Sequence, residues 1–207
     1  MSQIVVFMSL TLDGVMQAPG RPDEDRRGGF EHGGWALPYS DSDQGRVVGE
    51  SMATTGALLF GRRTYEDFYS VWPNRTDNPF TQVLNASRKY VASRTLREPL
   101  PWQNSILLSG DAADEVAKLR AEPDKDIVIL GSGELVRSLM ARNLIDRYLL
   151  QIHPLVLGSG QRLFTDNRAD GGTLRKLRLV NSQATSKGVV IATYEPAVPA
   201  PGLAPLG

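Results

Sequence analysis

The chain has no cysteine among its 207 residues. It therefore holds no disulfide, no thiolate nucleophile and no cysteine-ligated zinc. Histidine is nearly as scarce: His32 and His153 are the only two, which excludes a histidine-rich metal site. Net charge is missing as well. Lys+Arg and Asp+Glu number 23 each, so the overall balance exerts no pull towards nucleic acid or an anionic membrane. No apolar run approaches the ~20 residues that span a bilayer. The N-terminal run Ile4-Val5-Val6-Phe7 lacks the basic flank and length of a signal peptide and reads as a strand. A cytoplasmic, metal-free protein with a small-molecule partner is the expectation.

What is present is a core and a repeated design. Hydrophobic residues make up 41% of the chain, enough for one large domain. Two loops share a pattern: an apolar run breaks at glycine and a helix begins at once. The first is Ala57-Leu58-Leu59-Phe60 followed by Gly61-Arg62-Arg63-Thr64-Tyr65-Glu66; the second is Ile127-Val128-Ile129-Leu130 followed by Gly131-Ser132-Gly133-Glu134-Leu135. Glycine lets a ligand approach the backbone, and a helix start offers unpaired N–H groups and a partial positive charge. That combination suits phosphate. Two such loops, one with adjacent arginines, fit a ligand with several phosphates, such as a dinucleotide. The alternative for Arg62 and Arg63 is a solvated basic turn.

Periodicity predicts strands at Gln3–Ser9, before Gly61, at Lys89–Ala92, Ser105–Leu108, Asp126–Leu130 and Arg147–Leu157, and two more at Leu174–Ala184 and Gly188–Tyr194. Helices are predicted from Asp41 or Ser42 towards Thr55 with Gly56 as the stop, then at Thr64–Tyr69, Asp77–Asn85, Asp111–Ala121 and Glu134–Arg142. The segment from Asp13 to Ser40, rich in Gly, Pro and charge, reads as a functional lid or a disordered loop. Strands alternating with helices and a strand-rich end indicate an α/β fold with a mostly parallel sheet and an antiparallel C-terminal edge. One domain over residues 1–195 is expected, and the uncharged Pro/Ala/Gly tail 196–207 is expected to be a flexible extension.

Four segments together resemble the dihydrofolate reductase superfamily, in particular its bacterial branch related to the reductase half of the riboflavin-pathway deaminase–reductase. They are Ser9-Leu10-Thr11-Leu12-Asp13-Gly14, the Gly61–Glu66 block, the Gly131–Gly133 loop, and Pro154-Leu155-Val156-Leu157-Gly158-Ser159-Gly160 ending in Arg162-Leu163-Phe164. The resemblance covers residues 2 to about 195. It implies a three-layer α/β/α fold, NADPH as hydride donor and, by family habit, a homodimer to which the strand Arg147–Leu157 would contribute. By resemblance, Gly61, Arg62, Arg63 and Thr64 would meet the cofactor's phosphates. Gly131, Ser132, Gly133, Glu134 and Leu135 would wrap its pyrophosphate. Ser93 and Arg94 fall where the family grips the adenosine 2′-phosphate, and Met16, with Gln17 beside it, falls at the nicotinamide edge under a mobile loop.

The chemistry so implied is hydride transfer to a pterin- or pyrimidine-like heterocycle, with a proton for the neighbouring heteroatom. Trp35-Ala36-Leu37-Pro38-Tyr39-Ser40-Asp41 is similar to the folate-reductase pattern Trp-x-Leu-Pro-x-Asp with one extra residue. Asp41 is thus the first candidate for proton relay, with a carboxyl whose pKa burial would raise; an ordinary helix N-cap is the alternative. Asp13 is the second, against a role in holding the turn at Gly14. Gln151 is the expected substrate contact, on a strand face shared with His153, for which packing is the alternative. Arg88 is read either as a contact for an anionic substrate tail or as an exposed arginine. The altered spacing favours a heterocycle other than folate. The deaminase half of the riboflavin-pathway enzyme has no counterpart here. A non-catalytic nucleotide-binding or interaction protein that kept the fold is the rival reading.

Overall fold

The structure, a computed structural model, describes residues 2–53, 55–122, 126–164 and 174–197. Its framework is an eight-stranded sheet in the order β4-β3-β2-β5-β1-β6-β8-β7. The strands are β1 (Ile4–Thr11), β2 (Thr55–Gly61), β3 (Arg88–Ala92), β4 (Ser105–Leu108), β5 (Asp126–Leu130), β6 (Arg147–His153), β7 (Leu177–Ala184) and β8 (Val190–Pro196). The first six in spatial order run parallel; β8 is antiparallel to both β6 and β7.

Alternate residues of the central strands feed two cores, as a pleat with period two requires. Ile4, Val6 and Met8 of β1, with Leu59 and Ile129, pack on Val116 of α4 (Ala112–Ala121) and on Leu135, Val136 and Leu139 of α5 (Gly133–Ala141). Val5, Leu58, Phe60, Val128 and Leu130 face the other way. They meet Tyr65 of α2 (Arg62–Val71), Leu84 of α3 (Phe80–Ala86) and Trp102, with Val48 of α1 (Ser42–Ala53) against the same cluster. Three layers result, as the resemblance implied.

Three expected elements are redrawn. Gly56 does not stop a helix; it lies inside β2, where the pairing with β5 shifts register between Thr55 and Ala57, a natural place for a glycine in a strand. The sixth strand ends at His153 rather than Leu157, because Pro154 has no N–H to extend the ladder. That strand lies between β1 and β8 with both edges paired. Pro196 closes β8 instead of opening the tail, and residues 198–207 lie outside the described residues.

The long segment after β1 is neither polar throughout nor open. Val15, Ala18, Phe30 and Trp35 form a small core of their own against Leu155 and Leu157. The Trp35 indole N–H donates to the carbonyl of Gln17 at 2.7 Å, and the Gln17 amide donates to the carbonyls of Asp25 and Arg27 at 3.2 and 3.0 Å. Gly33 is placed where a Cβ would meet the carbonyls of Pro22 and Arg21 at 2.6 and 2.7 Å, so the returning strand of the loop lies directly on the outgoing one. The segment is an ordered wall of the molecule.

Candidate functional site

The carboxyl ends of β2 and β5 are neighbours in the sheet, and each runs straight into a helix. Neither helix has a side-chain cap at its start. By contrast α4, on the same side of the sheet as α5, is capped by Asp111, which accepts from the amides of Ala113 and Asp114 at 3.0 and 3.2 Å. Ser132, at the cap position of α5, spends its hydroxyl elsewhere. Its Oγ accepts the Gly61 amide at 3.0 Å and sits 3.3 Å from the carbonyl of Leu130. One serine therefore ties the two glycine loops together while leaving the first-turn amides of α2 and α5 without partners in their own helices. Gly131 and Ser132 are successive left-handed residues, φ +59° and +57°. A Cβ on Gly131 would press on the Thr64 methyl at 3.3 Å. The two loops form one surface, facing one cleft.

That cleft, of about 640 Å³, is bordered at this end by Met16, Arg63, Thr64 and Gly131–Gly133, and at the far end by Val48, Phe68, Val71, Trp72 and Phe80. Residues Gln17–Arg27 of the loop after β1 form its outer wall. The Met16 thioether lies so close over Gly133 that a Cβ there would fall 1.9 Å from the Met16 methyl. Arg63 pairs with Glu134 at 3.0 Å, and Arg27 approaches the same carboxylate at 3.7 Å. Donor-rich at one end and aromatic at the other, the cleft accommodates a phosphate-bearing ligand laid end to end with a flat apolar one.

The predicted site residues divide accordingly. Met16, Arg63, Thr64, Gly131, Ser132 and Gly133 border the cleft. Gly61 joins through its bond to Ser132; Glu134 lies at the rim as the partner of Arg63; Leu135 is core beneath the loop. Arg62 is turned to Glu66 one helical turn on, at 2.9 Å. Ser93 and Arg94 line a second, shallower depression with Arg97, Gly110 and Asp111, where the Ser93 Oγ accepts the amides of Thr95 and Leu96 at 3.1 and 3.0 Å. Strands β5, β2 and β3 are consecutive in the sheet, so this depression begins two strand spacings, ~10 Å, from the Gly131 loop.

Both acids chosen for proton relay are displaced from the cleft. Asp41 caps α1: its Oδ1 accepts the Gln44 amide at 2.9 Å, and its Oδ2 accepts the Ser186 hydroxyl at 2.8 Å. The Gln44 bond above all holds its carboxyl down at about 2, opposite to what a proton relay needs. Asp13 is a clamp between loops. It accepts from the Thr11 hydroxyl at 2.6 Å, from the amides of Leu157 and Gly158, and from Arg162. The Thr11 bond leads in lowering it to about 2. Gln151 is buried next to the cleft rather than in it; its Oε1 takes hydrogen bonds from Ser9, which does border the cleft, and from Gln44. His153 is packed, edge-on to Trp35 and Tyr39. Two carbonyls lie 3.1 and 3.3 Å from its Nδ1, so that nitrogen carries the proton, and burial pushes its pKa down. Arg88 opens β3 at the opposite end of the sheet from the cleft.

What sequence reading missed is the far wall. Arg21, Glu24, Asp67, Trp72 and Phe80 all border the cleft, yet nothing in their spacing marks them. They meet only because the ordered loop after β1 leans on α2. The one available signal was apolar: Phe68 and Trp72 stand four residues apart at the end of α2, while Phe80 opens the separate helix α3.

Comparison with known proteins places this geometry. The family model described as the RibD C-terminal domain matches residues 2–191. The uncharacterized protein YyaP of Bacillus subtilis (strain 168) is 28% identical over 197 residues, covering 93% of this chain and 94% of its own. YwjB of the same organism is 26% identical over 168 residues, covering 77% and 81%. Among solved structures, a candidate riboflavin biosynthesis protein from Shewanella sp. PV-4 superposes with a TM-score of 0.67 at 20% identity, covering 95% of this chain and 99% of that one. A pyrimidine reductase-like protein from Corynebacterium diphtheriae gives 0.66 at 13%, covering 95% and 92%. Dihydrofolate reductase from Enterococcus faecalis, complexed with NADP(H), gives 0.58 at 12%, covering 94% and 96%.

Proposed function

The chain belongs to the RibD C-terminal domain family, and from that premise we propose that it is an NADPH-dependent reductase acting on a pterin- or pyrimidine-like heterocycle. The observation that carries this reading is the pair of uncapped helix starts, α2 and α5, joined by the Gly61–Ser132 hydrogen bond at the head of adjoining parallel strands. Backbone N–H groups and two helix dipoles converge there on one surface, the arrangement that favours a pyrophosphate. When bound, the dihydronicotinamide supplies a hydride. This chain's residues hold and shield it: Thr64, Gly131, Ser132 and Gly133 on the phosphates, Met16 against the ring, and Ser93 and Arg94 towards the ribose phosphate. Phe68, Trp72 and Phe80 supply a flat apolar wall for the acceptor and exclude water. The reading includes a homodimer. Of the two outer strands, β4 and β7, the reading assigns the contact to β7, which has exposed Leu179 and Val180.

The test is binding. Titrating NADPH into the protein quenches tryptophan fluorescence saturably, and NADH does so at least tenfold more weakly. Arg94→Ala lowers NADPH affinity roughly 10-fold, the value of a lost charge-assisted phosphate contact, and leaves NADH unchanged. No response to near-millimolar NADPH overturns the cofactor assignment; equal losses for both cofactors overturn the role of Arg94. NADPH that binds but is never oxidised with any candidate heterocycle favours a binding protein on the same fold.

A further inference from the structure

Hydride transfer to a heterocycle leaves a negative heteroatom that must be protonated, and Asp13 and Asp41 are outside the cleft and held ionised. The carboxylates that border the cleft are Glu24, Asp25, Glu66 and Asp67. Three of them are locked to guanidinium groups. Asp67 takes both terminal nitrogens of Arg21, at 3.3 and 2.5 Å. Asp25 takes Nε of Arg27 at 2.8 Å, and Glu66 takes Arg62 at 2.9 Å. Each such contact favours the carboxylate over the acid.

Glu24 differs. Its Oε2 accepts the backbone amides of Gly20 and Arg21, at 2.6 and 3.0 Å, which fixes the carboxyl plane. Its Oε1 has no hydrogen-bond partner among the described residues. Arg21 has a double part here: its amide orients Glu24, while its guanidinium is occupied by Asp67 and cannot clamp Glu24 as well. We propose that Glu24 is the proton donor of the reaction, with Oε1 as the delivering atom.

Burial pushes the Glu24 carboxyl up, and the charge of Asp67 on α2 adds to this; the Gly20 and Arg21 amides and the Arg21 charge oppose it. Of the remaining charged groups bordering the cleft, Arg63 pairs with Glu134 at 3.0 Å and Arg75 with Asp77 at 2.6 Å, while Arg26 also borders it and Asp23 lies 3.5 Å from the Arg21 Nε. The step balances as follows. The π bond of a C=N or C=O group in the acceptor opens; its carbon takes the hydride with both electrons, and its heteroatom takes the proton released as the Glu24 O–H bond breaks. Glu24 is left a carboxylate, which solvent reprotonates, and the nicotinamide is left oxidised. The inference rests on the reductase reading.

Two measurements test it. In ligand-free protein labelled with 13C at the glutamate carboxyl carbons, one resonance titrates above the ordinary glutamate range and is absent from Glu24→Gln. In single-turnover experiments with NADPH and 6,7-dimethyl-7,8-dihydropterin, Glu24→Gln slows NADPH oxidation at pH 7 by at least ~100-fold, the usual worth of general acid catalysis. The same substitution abolishes the acidic rise of the wild-type pH–rate profile, and Glu24→Asp restores part of both. Glutamine keeps an oxygen for the two amides, so NADPH affinity and the thermal midpoint stay at wild-type values. An ordinary Glu24 titration, an unchanged pH–rate profile in Glu24→Gln, or wild-type protein that binds NADPH without oxidising it with this probe from pH 5 to 8 each overturns the proposal. Wild-type protein that fails to bind NADPH overturns the reductase reading itself, and the carboxyl titration remains interpretable beside that result.

Discussion

Single residues decide how tightly the loop after β1 is held over the cleft. Gly160 has φ +108°, and a Cβ there would meet the Phe30 ring at 2.7 Å and Val15 at 2.8 Å, both buried. Gly160→Ala therefore combines an unfavourable backbone with overpacking of a small rigid cluster. It is expected to cost about 2–4 kcal/mol, read as a fall in the thermal midpoint of roughly 5–15 °C. Asp13 acts on the same junction through charge. Its carboxyl is depressed from 3.8 to about 2 in the folded protein, so it stabilises the fold above the unfolded value and that contribution is lost as pH falls through the folded one. Asp13→Asn should lower stability by about 1–2 kcal/mol at pH 7, and the gap to wild type should close between pH 4 and pH 2, followed by denaturant unfolding across that range. No gap at neutral pH would remove Asp13 as the clamp. The sequence motif containing Asp13 was visible at once, but the motif does not say whether a carboxylate takes part in chemistry or ties two loops. Only the four donors around it do.

At the scale of elements, what was legible is what periodicity and caps encode. Strands Ser105–Leu108 and Asp126–Leu130 emerge with the bounds read from the sequence, and the helix expected over Asp111–Ala121 forms as α4 with Asp111 as its cap. Errors fall where one residue has two meanings. Gly56 stops helices and permits bulges with equal ease, and tertiary pairing chose the second. Lys89 is a different failure. A lysine in β3 reads as solvent-facing, yet it is fully buried, with its ammonium donating to the carbonyls of Ser87 and Gln103 at 2.7 and 2.9 Å and lying 4.6 Å from the Trp102 ring centre. Burial lowers its pKa to about 8, still charged at neutrality. It joins the end of α3, the start of β3 and the turn before β4. Lys89→Met should destabilise by about 2–4 kcal/mol, because the carbonyls stay buried while their donor is lost. A loss below 1 kcal/mol in urea unfolding would show that water replaces the ammonium.

Over the whole molecule, the donor-rich end of the cleft was readable because glycine loops and helix starts are local in sequence. The far wall was not, because Arg21, Glu24 and Asp67 come from a loop and a helix more than 40 residues apart and meet only in three dimensions. Among the described residues no helix is long and apolar enough to cross a membrane. Ligand binding should register globally: NADPH at 100 times its dissociation constant adds about 2.7 kcal/mol. That is a rise of roughly 5–11 °C in the thermal midpoint for a domain of this size.

Strand β5 is inserted between β1 and β2, although it follows both by more than 60 residues. Until Asp126–Leu130 arrives, the two earlier strands have no direct ladder to one another, and Gly61 has no Ser132 to bond. The surface shared by the two glycine loops thus exists only once β5 and the start of α5 are in place. A ligand that needs both loops can recognise only chains whose central gap has been closed, which makes its capture a report that β5 has been inserted.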